Sequence, residues 1–421
     1  MNMKNIKQLI SLLLLMIGAV SLTSCQDEVM TTHTYRAMVP IFLEMSDIRA
    51  KTITVAPPQE LDNPGKIYLY GDYLLINEPT KGIHILDNTN PANPVNKNFI
   101  PIEGNVDLAV NSNILYADNY VDLLAFDISN INNITLVKRV EDVFTHMYRH
   151  DTGQIITFRD SVITTDNAFR GCANCEFFTM NGSVGFAANF SAAAQSYGTG
   201  GSMARFTLSS GHLYAVDEST MRVFDVRDAK DPKFVKPIDL GWGIETIFPF
   251  QNKLFIGSNR GMHIYDASTP GSPTRMAVYE HLVACDPVVV NEDFAFVTLR
   301  SGNLCVNNIN QLQVVNIEDP YKPYLMKSYP MLNPHGLGLS EDNLYIAEGK
   351  HGLKSFKVSD VMTIDQNQME FLESMKSVDI IPGPKSLIVI GPDGVCQFDY
   401  STPSKLVKLS CIDVKNPVTV Q

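Results

Sequence analysis

Short apolar runs of four to seven residues recur from about residue 50 onward, each broken by Gly, Asn, Asp or Pro. ILYADNY (114–120), HLYAVDE (212–218), KLFIGSN (253–259) and NLYIAEG (343–349) are rich in the β-branched and aromatic residues that suit strands. A second apolar run follows, ending in Asp or Asn before a turn that contains proline. The copies are GIHILDNTNPANP (82–94), MRVFDVRDAKDP (221–232), MHIYDASTPGSP (262–273) and LQVVNIEDPYKP (312–323). The side chains of Asp87 and Asn88 can satisfy the turn backbone, and Pro91 and Pro94 stop the strand from running on. Each unit thus reads as four antiparallel strands, A to D, with a polar turn between C and D.

Seven or eight residues before each B strand stand Lys66, Asp107, His146, Arg205, Glu245, Asp286, His335 and Asp379. Most of their intervals lie between 39 and 49 residues, and one is 59. A period of about 40–45 residues with four strands per unit predicts an all-β fold, a β-propeller. The count is eight blades, or seven if 161–200, where no C and D strands stand out, is only an insertion. The propeller domain is expected over 34–414, with a flexible insertion at about 167–200. KTITV (51–55) and SKLVKLSCIDV (404–414) both read as D strands that could close the last blade. Residues 34–50 read as a strand, YRAMVPIFL, and a short helical turn capped by Ser46.

MRVFDVRDAKDP and LQVVNIEDPYKP resemble the repeats of LVIVD-repeat proteins, and LLAFDIS (123–129) does so in part. VCQFDYSTPS (395–404) keeps the Asp without the full turn, and LKSFKVSDV (353–361) lacks it at the usual place. The resemblance spans about residues 50–414. It implies an extracytoplasmic propeller and brings no catalytic residues with it.

The first residues alter the cellular address. Lys4 and Lys7 precede an apolar stretch, Leu9 to Val20, too short to span a bilayer. LTSC (22–25) resembles a bacterial lipobox, which assigns 1–24 to a signal peptide, Cys25 to lipidation and 25–33 to a tether. Gln26-Asp27-Glu28 resembles the surface-export signal of Bacteroidetes-type lipoproteins. The expected location is the bacterial outer membrane, held by the lipid alone and exposed at the surface, with a periplasm-facing protein as the alternative. Export permits disulfides among the remaining six cysteines. Cys285, at the start of an A strand, and Cys305, in the B–C loop of the same unit, share a face. Cys396 and Cys411 lie symmetrically about the C–D turn at Pro403-Ser404, with even offsets that put both on one side. Cys172 and Cys175, in CANC, are expected to form a local bridge in the insertion.

The formal charge of −12 and the absence of a basic stripe argue against nucleic acid. No HExxH, EF-hand loop or paired CxxC supports a metal, no GxSxG or triad spacing marks a nucleophile, and no cofactor is implied. The eight ionisable A-strand positions remain as a polar funnel that would bind a ligand at the channel mouth. B–C loops add Glu78, Lys81, Tyr120, Asp217, Glu218, Arg260, Arg300, Glu348 and Lys350 to that face. Trp242 is the only tryptophan, so a stacking platform for sugars is thin. The function expected is a binding or interaction module for a surface protein or glycan. The rivals are a hydrolase or lyase using funnel carboxylates and histidine, and a structural subunit of a surface assembly.

Overall fold

Strands B and C of the repeats are apolar on both sides, so their sheets must be covered on both faces. In the computed structural model, which describes residues 30–144, 148–149, 152, 154–168, 199–280, 287–300 and 309–415, seven four-stranded antiparallel blades satisfy that demand. They span 67–101, 108–140, 206–239, 244–280, 288–330, 337–372 and 379–412, here blades one to seven. Within each, spatial order follows chain order from A to D. Successive A strands touch, from Ile67–Tyr70 through Leu108–Asn111, Phe206–Ser209, Ile244–Phe250, Val288–Val290 and Leu337–Ser340 to Asp379–Pro382. Apolar clusters fill the spaces between blades, as where Tyr345, Leu353, Val389 and Phe398 join blades six and seven.

Local chemistry explains the repeat. Several A–B hairpins turn through two residues, with Ser112 and Asn113, or Ser210 and Gly211, both at positive φ. That geometry matches the twist of the flanking strands. The Asp at the end of strand C folds back onto the turn: Asp87, Asp127, Asp225, Asp266 and Asp399 each accept the N–H two residues on. Asn88, by contrast, pairs with Gln397 of blade seven. All seven C–D pairs carry a register shift late in strand C, as between Val223 and Phe224 or Gln397 and Phe398. A bulge there strengthens the twist of the outer edge. Gly394 opens strand C of blade seven at φ +112, where a Cβ would stand 2.2 Å from the carbonyl oxygen of Ile412.

Of the two counts expected, seven stands: among the described residues no eighth blade forms, and His146 itself lies outside them. Tyr148–Arg149 and Gln154–Ala168 join Met30–Glu44 in a separate three-stranded sheet. A single strand of 15 residues cannot supply the short strand–turn–strand succession of a blade. Residues 30–42 with 156–168 are the described part of a unit distinct from the propeller. The helix Met45–Ala50 follows, with Glu44 at its N-cap and no side-chain cap, so Ser46 is helical and does not cap it. Met45 and Ile48 pack on Val121 and Ile155, and Arg49 forms a two-point ion pair with buried Asp122.

Ring closure also differs from the sequence reading. Residues 51–55 form no strand; next to them Ala56 bridges Phe99 on the outer strand of blade one. Val407–Ile412 is the D strand of blade seven, whose four strands are all C-terminal. Blades one and seven therefore meet without exchanging a strand. Leu61, Ile67, Leu74 and Leu86 pack on Ile381, Ile388 and Val395, and Lys415 N–H donates to the Leu61 carbonyl. The expected Cys396–Cys411 bridge is present across the C–D pair of that blade. Cys25, Cys172, Cys175, Cys285 and Cys305 lie outside the described residues. Among the described residues no helix is long and apolar enough to cross a membrane.

Candidate functional site at the axial channel

The chain itself fills part of the space beside the A strands. Thr199–Gly200 pairs antiparallel with the A strand of blade one and makes it a five-stranded sheet. Gly200, Gly201, Ser202, Met203 and Ala204 are all buried. This plug touches four blades. Met203 carbonyl accepts from Lys66 Nζ at 3.0 Å, on blade one. Ser202 Oγ donates to Asp379 Oδ1 at 3.0 Å and accepts Leu337 N–H at 2.8 Å, on blades seven and six. Ala204 carbonyl accepts Ile247 N–H, on blade four.

Three of the eight predicted positions are consumed by this arrangement. Lys66 is completely buried, 3.5 Å from Asp107 Oδ2. Asp107 also accepts the N–H groups of Arg205 and Phe206 through Oδ2, and that of Leu108 through Oδ1. Burial pulls the Lys66 ammonium down to about 8, against the pull of Asp107. Asp379, equally enclosed, is pushed up to about 7 by burial, although Ser202 and its own strand N–H resist. Of the others, Arg205 and Glu245 are half-buried, and His335 is buried with Nε2 3.2 Å from Asn333 Nδ2. Burial, helped by the Arg300 charge, lowers His335 to about 3, so its ring is neutral. His146 and Asp286 fall outside the described residues. The structure thus brings Lys66, Asp107 and Asp379 together around the plug, while Glu245 and His335 stand on blades four and six with Arg300 of blade five between them in chain order.

The acids at the ends of B strands have a role that composition could not reveal. Glu78 accepts the N–H groups of Asp62 and Asn63, Asp118 those of Val106 and Asp107, and Glu348 those of Leu332 and Asn333. Each clamps the segment that leads into its own A strand. Asp217 instead holds its own B–C turn through Ser219 and Thr220 N–H, with Arg222 as counterion. Desolvation raises Asp118 to about 7 despite these donors. The sequence does carry a signal for this role. A polar loop entering a buried strand has N–H groups that something must satisfy. Lys81 pairs with Asp62, and Tyr120 packs near Val121.

Trp242 stands apart from this buried set, 74% exposed. Its loop is braced: Gly241 N–H donates to Asp239, while Gly243 and Ile244 N–H both donate to the Glu218 carbonyl. Gly241 and Gly243 have φ of +83 and +98, and a Cβ at Gly243 would stand 2.1 Å from Asn259 Oδ1. The glycines hold the indole outward, three residues before Glu245. Among the described residues no group of three or more His, Cys, Asp or Glu could hold a metal ion.

These features define a β-propeller, with seven blades and a partly filled axis among the described residues, and the comparisons bear on its fold. Residues 64–99 match the LVIVD repeat family, which covers strands A to C of blade one and most of D. The fold is similar to that of a periplasmic gluconolactonase of Pseudomonas aeruginosa, with a TM-score of 0.53 and 11% identity over 85% of this chain and 98% of that one. It is also similar to a functionally unknown protein from Desulfotomaculum acetoxidans DSM 771, with a TM-score of 0.50 and 11% identity over 85% and 99%. A computationally designed protein, Ika8, matches at a TM-score of 0.50 with 9% identity over 85% and 91%. No curated protein matches the chain in sequence.

Proposed function

We propose that this protein is a lipid-anchored, extracytoplasmic binding module that takes its ligand on the face where the A strands begin, beside the plug. The observation that carries the reading is Trp242, a large aromatic displayed to solvent on a rigid loop that leads directly into Glu245. An indole so exposed adds nothing to the core, and rigid aromatics with adjacent polar groups suit contact with a partner. Among the described residues Lys66, Asp107 and Asp379 hold the plug, and we place ligand contact on Arg300 and His335, with Glu245 and Arg205 beside them.

Hydrolysis is less well supported, because among the described residues the close acid and histidine groups are committed elsewhere. His84 and Glu78 approach to 3.5 Å, but both are shut inside blade one, and Glu78 also carries two loop N–H groups. Asp107 and Asp118 are occupied by backbone donors. The likeness to a gluconolactonase is a likeness of fold.

LTSC at 22–25 supports anchoring through Cys25. The test is a glycan array probed with the purified full chain and with Trp242→Ala, alongside fractionation of cells carrying wild type or Cys25→Ser. Retention of defined glycans by wild type, lost in Trp242→Ala with an unchanged melting temperature, is expected. Cys25→Ser should move to the soluble fraction. Equal retention by both proteins removes Trp242 from the site, and membrane retention of Cys25→Ser removes the lipid anchor.

A further inference from the structure

Arg300 is the charge that the fold leaves unsettled. It ends the B strand Phe294–Leu299 of blade five and is 6% exposed. Its Nε is the only Lys, Arg or carboxylate atom among the buried, unpartnered side-chain atoms of the described residues. Desolvation weighs on it, and the Glu245 charge offsets this only in part. A buried guanidinium short of hydrogen bonds is strongly unfavourable, and proteins keep such groups where something else supplies the partner.

Resting on the binding-module reading above, we infer that Arg300 is held for the carboxylate of a sugar acid that docks beside the plug, among Glu245, Asn333 and His335. A guanidinium presents parallel N–H groups in a planar fork that matches a carboxylate in two bonds. Glu245 and the acidity of the chain disfavour a doubly charged phosphate more than a singly charged acid. Asn333 Nδ2 and His335 Nε2 meet at 3.2 Å and form a polar edge that a sugar's hydroxyl groups can extend. Thr298, on the same strand as Arg300, fixes the neighbouring blade by donating to the His335 carbonyl at 2.6 Å. Gly349 keeps bulk away: at φ +58, a Cβ there would lie 2.9 Å from both Asn333 Nδ2 and His335 Nε2.

The test is calorimetric titration of D-glucuronate, D-glucose and inorganic phosphate into the full chain, as wild type and as Arg300→Met, with melting curves of both proteins. Glucuronate is expected to bind wild type and to bind Arg300→Met at least about tenfold more weakly, the loss of one charge-assisted pair. Ligand-free Arg300→Met should melt no lower than wild type, because an uncompensated buried charge has gone. Unchanged glucuronate affinity in the variant overturns the inference, as does glucose or phosphate binding wild type as tightly. A lower melting temperature for the ligand-free variant shows that Arg300 has a structural partner, and that too overturns it. If wild type retains neutral glycans through Trp242 yet gives no heat with glucuronate, the sugar-acid assignment fails and the binding module stands.

Discussion

Replacing Asp379 with asparagine should change how the stability of the propeller depends on pH. Asp379 is 3% exposed and binds the plug through Ser202, and burial lifts its carboxyl from the ordinary 3.8 to about 7. Between those two values the folded protein holds a proton that the unfolded chain has released. Stability contributed by this group is therefore present at low pH and lost as pH rises toward 7. A shift of about three units corresponds to roughly 4 kcal/mol at most, and attraction to Lys66 makes about 2–4 kcal/mol the working range. The asparagine side chain keeps an acceptor for Ser202 and cannot ionise, so the variant should lack this slope. Urea midpoints of both proteins at pH 5 and pH 7.5 give the comparison. Asp118, also raised to about 7, titrates equally in both and cancels. Lys66, lowered to about 8, gains stability only as pH rises from there toward 10.5, above the measured window. Relative to wild type, Asp379→Asn should gain about 1–2.5 kcal/mol on going from pH 5 to pH 7.5, because the stretch below pH 5 falls outside that window. A difference between the proteins that stays constant with pH would refute the buried carboxyl.

Ser202→Ala should lower stability by about 1–3 kcal/mol, since Leu337 N–H loses its acceptor and Asp379 a donor inside the ring; an unchanged urea midpoint would mean that the plug is not held there. Removing the Cys396–Cys411 bridge as a double Ala variant should cost about 3 kcal/mol for a separation of 15 residues, and two free thiols in the unreduced protein by mass spectrometry would contradict the bridge itself. Gly394→Ala should cost about 2–3 kcal/mol, because the new methyl meets the Ile412 carbonyl at a backbone angle that disfavours side chains; a neutral substitution would show that strand D yields easily.

What was legible in the sequence was whatever a short stretch decides for itself. The C-strand Asp and the even offsets of Cys396 and Cys411 are local patterns, and the fold keeps both. The blade count was harder. His146 follows Asp107 at 39 residues, an ordinary period, but its chain continues into a strand of another sheet, so spacing alone supplied a false repeat. The surroundings of the funnel positions were hidden for a different reason. An ionisable residue at the start of each A strand reads as solvated until something covers it. Lys66 is covered by Met203, 137 residues away, and no local pattern contains that contact. The acids that end strands B misled in the same direction. Glu78, Asp118 and Glu348 look like loop charges, yet each is spent on backbone N–H groups brought to it by folding.

The plug explains a feature that the repeat leaves open. Blades one and seven share no strand, so the ring is closed by side-chain packing and a few bonds such as Lys415 to Leu61. Packing between separate blades resists opening less specifically than a ladder of backbone hydrogen bonds does. Residues 199–204 add bonds of that directional kind from the centre, to blades one, four, six and seven, and so restrain both sides of the closing joint at once. Such a segment can enter only where the chain already approaches the axis, in a connection from a D strand to the next A strand. The long excursion of this protein, between Val140 and Phe206, is in such a connection. Filling the axis on the side of Lys66, Asp107 and Asp379 satisfies their charges from within. Among the described residues the buried charge left short of an internal partner is then Arg300, on blade five, and that is why the site is sought there.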